Sequence, residues 1–309
     1  MGDSSGRSAA AADGCGDSRR ITAGILYSLA SGICFGWMPI FARFAYRAGV
    51  DVPTLLLLRF GLAAVCLWAL MLARGLRPPR GRSLALLLLM GVGYASQAFC
   101  YFTAVTMASA GLVSLLLYLY PALVAVLARV VFRAPLSGRQ WAAVGMALAG
   151  SALTIGRAGD GRALGIALGV LAALLYSCYI LAGSRITAAM EPLVATTVII
   201  SGAAAIFAGN AAARGVHLPA GAAGWGAALG VAVVCTVLAI LFFFEGIERV
   251  GPVRASVYST VELMVTLLLA ALLLGEPLTL GRGLGGILIV IAVVLLAREE
   301  LGSATREPA

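Results

Sequence analysis

Apolar runs long enough to cross a bilayer recur along almost the whole of this 309-residue chain, and they restrict its fold more than any other feature. A hydrocarbon core about 30 Å thick is crossed by about 20 helical residues, each rising about 1.5 Å. With no water inside it, every backbone N–H and C=O must be paired within the protein, so long continuous apolar runs read as helices. The chain is 61% hydrophobic, 11% charged, with a mean hydropathy of +1.02. Soluble domains carry about 25% charged residues, so a soluble globular fold is excluded. The expectation is an all-α integral membrane protein of ten transmembrane helices. The spans fall over residues 21–41, 53–73, 84–104, 108–131, 141–155, 163–183, 192–213, 222–244, 252–274 and 283–297. Three are short or weakly bounded, which leaves a count of nine open.

The runs also repeat. Residues 108–153 form a hydrophobic helix, an Arg-bearing turn opened by Pro135, and a second hydrophobic helix. The same order returns over 250–296 at a gapless shift of 142 residues, which places Ser114 on Ser256, Tyr120 on Glu262 and Pro135–Leu136 on Pro277–Leu278. The shift also places Trp37 on Tyr179 and Arg43 on Arg185. Identities are sparse, so the order of features carries the argument. Residues 21–157 then form one five-helix unit and 158–298 a second, between a polar, Gly/Ala-rich tail (1–20) expected to lack regular structure and a C-terminal tail (299–309).

Charge placement sets the orientation. All 22 basic residues are Arg. With the N-terminus inside, fifteen arginines fall on the inner side and six on the outer, with Arg59 left within a span. That bias places both termini in the cytoplasm of a multi-pass protein of the cell's inner membrane. Five helices per unit is odd, so the second unit enters from the opposite side and the two form an inverted repeat. Such a repeat supplies two pseudo-equivalent conformations, which is the physical basis of alternating access. The net charge of +9 does not indicate nucleic acid, because the arginines lie between apolar runs and not in one patch.

Little points to enzyme chemistry. The six cysteines show no CxxC spacing and mostly lie within apolar segments, as small hydrophobic fillers do. His217 is the one histidine and falls in a loop, so neither a metal site nor a cofactor site is expected. No GxxxxGK[ST] segment occurs, so the chain does not hydrolyse ATP. An integral membrane enzyme acting on a lipid-linked substrate is the alternative class, and it would need clustered His, Asp or Glu catalysts.

The candidate binding residues are polar groups deep in spans. Glu262 lies about ten residues into span nine, roughly 15 Å deep at about 1.5 Å per residue. An ionisable group there costs about 2.5–3.5 kcal/mol on insertion, so it should face a cavity or a partner. It can also carry a proton, which leaves proton coupling and facilitated diffusion both open. The competing role is a structural Glu bonded to a neighbouring helix. Tyr258 and Ser259 lie one turn before it. Tyr118 and Tyr120 reach a similar depth in span four, where Pro121 leaves the Leu117 carbonyl without its helical donor. Gln97 and Tyr101 in span three are further cavity candidates, or helix-packing groups. Arg59 in span two binds substrate, forms a structural ion pair or reaches outward to a headgroup. Trp37 in span one is a substrate contact or an interfacial anchor, and Tyr179 reads as an anchor on the inner side. The crowding of Glu245, Glu248, Arg249 and Arg254 before span nine reads as a solvated loop or a gate. Gly32/Gly36, Gly165/Gly169 and Gly226/Gly230 have spacings that permit close helix approach, and small-residue surfaces of this kind permit a homodimer.

Four segments carry a family resemblance: FGWMPIFAR in span one, LRFGLAA in span two, SAGLVSLLLYLYPALVAVLA in span four and SVYSTVELMVTLLLAALLLGEPLT in span nine. From residue 21 to 296 the chain resembles EamA-type members of the drug/metabolite transporter superfamily, with the LLLGEPLT ending of span nine the most specific motif. The resemblance implies a bundle around a central cavity, embedded in membrane lipid, that exports a small-molecule substrate such as an amino acid, a related metabolite or a drug. One departure stands out. Such members often carry Glu-Pro in span nine, whereas this chain has Glu262–Leu263, so a kink there lacks its usual cause.

Overall fold

The computed structural model describes residues 4–133, 136–155 and 162–304, with side chains described from Arg20 to Arg298 except at residues 132, 155, 252 and 253. Pro135, Arg157 and the expected boundary between the two units lie outside the described residues. Every secondary-structure element among them is a helix. Nine helical segments are long and apolar enough to cross a membrane. The tenth, Gly138–Ile155, opens with Gly-Arg-Gln and is less apolar, yet it lies lengthwise against the last helix, Leu280–Ala304. The ends differ in places from expectation. Span one continues to Arg47, and its helix begins at Ser4, within the segment expected to lack regular structure, where the run of alanines favours helix. Span eight continues to Val250, so Glu245, Glu248 and Arg249 lie in a helix and not in a loop. Arg249 pairs there with Glu245 one turn back and lies over the Tyr27 ring.

The two halves pack as a mirrored set. Spans two and seven, four and nine, and five and ten pair with their own repeat counterparts. Span three packs on six and one on eight; four packs on six and one on nine; two packs on eight and three on seven. Each of these contacts has a partner under exchange of the halves, as a self-complementary interface requires. Exposed side chains such as Val65, Leu72, Leu268 and Leu272 cover the outer helix faces, and a large apolar cluster fills the interior.

Glycines set how closely these helices approach. A Cβ on Gly32 would lie 2.7 Å from the Ser259 carbonyl oxygen, and one on Gly36 would lie 3.0 Å from that of Glu262. The Gly32/Gly36 pair thus seats span one against the stretch of span nine that bears Glu262. Gly165 and Gly169 similarly receive Met107 and Leu116. In the third pair only Gly230 is crowded, by the Phe41 ring, while Gly226 faces open space.

Candidate functional site

Four spans depart from regular helix, and the departures surround the candidate residues. Span one breaks between Ser4–Gly36 and Met38–Arg47 at Trp37, whose carbonyl accepts from both Ile40 and Phe41 N–H. Pro39 has no N–H and tightens this turn. Span four breaks between Ala110–Leu117 and Tyr120–Phe132, just before Pro121. Span nine breaks at the equivalent place under the 142-residue shift, between Pro252–Ser259 and Val261–Leu274. Leu263 has replaced the usual proline, but the kink is present. Thr260 supplies it: its hydroxyl donates to the Val257 carbonyl at 2.7 Å, and its own N–H turns to the same carbonyl. A side chain that competes for backbone carbonyls bends a helix without any proline. Span eight instead widens into a π-helical stretch over Gly230–Leu238. Such stretches are frequent at functional sites.

Backbone groups freed by a break must find partners inside a membrane protein. Hydroxyls from neighbouring spans donate to carbonyls at or beside the departures. Thr266 of span nine donates to the Gly36 carbonyl at 3.0 Å, and Ser177 of span six to the Tyr120 carbonyl at 3.2 Å. Ser31 of span one donates to the Ala239 carbonyl, just past the π stretch, at 2.8 Å. These bonds hold the broken spans in register, so the side chains at the breaks have set positions.

Glu262 and Tyr118 meet there. The Tyr118 hydroxyl donates to Glu262 Oε2 at 2.9 Å, joining the two broken spans. From Tyr118 a line of aromatic rings runs to Tyr120 (6.1 Å between ring centres), Tyr176 (4.9 Å), Tyr179 (6.0 Å) and Tyr94 (5.3 Å). Tyr94 accepts from Arg59 through its hydroxyl at 3.2 Å. The Arg59 Nε donates to the Thr236 hydroxyl at 3.0 Å, and its guanidinium lies over Phe60 and Phe102. Thr236 in turn donates to the Val231 carbonyl five residues back, in the wide register of the π stretch.

Arg59 therefore does not reach out to a headgroup. It is 4% exposed, and among the described residues no carboxylate pairs with it. Span two turns it toward the π stretch of span eight, which the local sequence does not reveal. Tyr101 is buried and bonded to Ser114 at 3.0 Å. Gln97 is buried one turn before Tyr101. Trp37 lies ten residues before the end of its span, stacks on Phe41 and packs on the core, so the interfacial-anchor reading is replaced by a mid-span one. Tyr179 is likewise no anchor, since it stands in the ring line. Tyr258 and Ser259 sit at the break before Glu262, and the Ser259 backbone faces Gly32. Tyr94, Tyr176 and Thr236 were not anticipated. The i, i+3 spacing of Tyr176 and Tyr179 was the available signal for one of them.

Two cavities open at opposite ends. One of about 290 Å³ is lined by Met90, Tyr179, Gly183, Met190, Pro192 and Phe244, so the ring line runs from its wall to Glu262. The other, of about 350 Å³, is lined by Arg43, Arg47, Ser109, Glu276, Pro277 and Arg282. His217 lies elsewhere, in the loop before span eight, with its imidazole 3.4 Å from the Asp51 carboxylate. Among the described residues, no group of three His, Cys, Asp or Glu side chains could hold a metal ion.

Comparison with known proteins agrees with this architecture. The uncharacterized transporter YcbK of Bacillus subtilis (strain 168) is 27% identical over 293 residues, covering 88% of this chain and 93% of the relative. A crystal structure of another protein superposes with a TM-score of 0.65 at 20% identity, over 93% of this chain and 99% of its own, which speaks to the fold alone. The EamA-like transporter family matches residues 22–156 and again 163–298. Family and relative point to transport and not catalysis, for a multi-pass membrane chain that takes a small-molecule substrate. A chain built twice from the same helical unit, with both units matching that family, belongs to the EamA-like transporters.

Proposed function

We propose that this chain is a secondary transporter that moves small zwitterionic metabolites, amino acids among them, out of the cell across the inner membrane by alternating access. One observation carries the reading: a buried cation without an ion-pair partner among the described residues, Arg59, and a mid-span carboxylate, Glu262, stand at the two ends of one line of tyrosine rings, Arg59 bonded to Tyr94 and Glu262 to Tyr118. An amino acid offers the complementary pair, its carboxylate to the guanidinium and its ammonium to Glu262, with tyrosine rings for the side chain. The mirrored packing of the halves supports an inverted repeat, because five helices reverse the direction of the sixth. The arginine bias supports cytoplasmic termini, and with them a Tyr179 cavity that faces the cytoplasm. Glu262 also supplies a proton-exchangeable group on the path, which would couple export to the proton gradient.

Counterflow in proteoliposomes tests the substrate class. Labelled amino acids are expected to exchange saturably, while their amine analogues lacking the carboxylate compete about tenfold more weakly, as loss of one charge-assisted bond of about 1.5 kcal/mol predicts. In Arg59→Gln that preference should collapse, amine and amino acid competing alike. A purely structural arginine would lower both rates and keep the ratio. Exchange confined to apolar amines or other drug-like solutes would reject the zwitterion reading in favour of drug efflux.

A further inference from the structure

At the end of the bundle away from Tyr179, the loop after span nine fastens the start of span four. The first turn of span four, Ala110–Leu117, begins at Ser109, whose own side chain does not cap it. Its orphan N–H groups are capped from the other repeat. Glu276, in the loop after span nine, accepts from Ala110 N–H at 2.6 Å through one carboxylate oxygen and from Gly111 N–H at 3.0 Å through the other. A carboxylate here satisfies two donors and faces the positive end of the helix dipole. Arg282, 2% exposed, donates to the Ser109 hydroxyl at 2.8 Å and to the Pro277 carbonyl at 2.9 Å. Two arginines of the adjoining cavity are engaged, Arg43 on the Ala108 carbonyl and Arg282 as described, and Glu276 supplies an anion. The cavity borders this clasp.

We propose that Glu276 and Arg282 are positioning residues that lock this face shut, and that neither has a chemical equivalent at its position in the other repeat. The repeat itself supplies the argument. The 142-residue shift places Glu276 on Ala134, Arg282 on Gln140 and Ala110 on Pro252. Alanine offers no carboxylate and proline no N–H, so the symmetry-related conformation, closed at the other face, lacks these bonds. The equilibrium therefore rests in the state that is shut at the clasp and open at the Tyr179 cavity, where a solute leaving the cytoplasm enters. This inference rests on the alternating-access reading above.

The test is thiol labelling in a variant without its six native cysteines, using two reporters. Ser114→Cys lies inward of the clasp, where Ser114 is 5% exposed, and Thr196→Cys lines the Tyr179 cavity. With an impermeant maleimide, Glu276→Ala should raise labelling of Ser114→Cys from the clasp side several-fold and lower that of Thr196→Cys. Glu276→Gln, which keeps one acceptor oxygen and is the milder change for folding, should move both in the same directions by less. A rise at both reporters would mean general loosening and would overturn the clasp, as would no change at either. The assay needs no substrate. Glu276-dependent, opposite changes without any counterflow would leave the clasp standing and defeat the transport reading alone.

Discussion

Glu262→Gln is expected to reduce the apparent affinity for a zwitterionic substrate by about 10- to 100-fold, while the protein stays folded. The substitution keeps the side-chain length and an oxygen to receive the Tyr118 hydroxyl, so the junction of spans four and nine retains its bond. What disappears is the negative charge. A hydrogen bond to a charged group is worth about 1.5–3 kcal/mol, and each 1.4 kcal/mol is about tenfold in affinity. Counterflow KM against substrate concentration, at fixed pH, reads the loss directly. Where Glu262 also carries the coupled proton, uphill export driven by a pH gradient stops in the variant, whereas downhill exchange survives at high substrate. Unchanged KM, with the pH dependence intact, would remove Glu262 from both roles and leave it as a helix-joining group.

The largest effect on folding is expected at the contact of spans five and ten. A Cβ on Gly285 would clash with the Gly150 carbonyl oxygen, and one on Gly150 would lie 2.7 Å from that of Gly285. The obstacle on each side is backbone, which cannot turn aside as a side chain can. Gly285→Val must therefore drive the two helices apart along their shared length, at a cost of at least about 1–3 kcal/mol from overpacking. Gly283 lies two residues away in the same helix and meets nothing within 4 Å. Gly283→Val is the matched control, with the same change in helix propensity and no obstruction. Thermal melting in detergent should show a marked fall in Tm for Gly285→Val and little change for Gly283→Val. Equal Tm values would show that the pair is not a close-packed contact.

The membrane class, the near-complete set of spans and the tandem repeat were legible in the residues because each depends on local composition or on a fixed shift. Glu262 and Tyr118 were legible for the same reason: an ionisable group ten residues into an apolar run has few roles open to it. Arg59 shows where local reading stops. Its distance along span two allows both an outward and an inward rotamer, and only the presence of Thr236, Tyr94 and two aromatic faces on other spans selects the inward one. The kink of span nine shows the same limit in backbone terms. Loss of proline argued against it, yet a threonine hydroxyl bends the helix where the repeat demands a break.

Sequence by itself determined that this chain lies in a bilayer, that it is built twice from one helical unit, and that a carboxylate and tyrosines stand deep within its spans. These follow from hydrophobic transfer and from chain length, which act residue by residue. Tertiary structure alone decided the Tyr118–Glu262 bond, the ring line to the Tyr179 cavity, the inward turn of Arg59 and the clasp of Glu276 on span four. Each joins groups far apart in the chain. In a medium without water, a polar side chain takes the direction of whichever partner the packed helices bring within about 3 Å, and its neighbours in sequence do not name that partner.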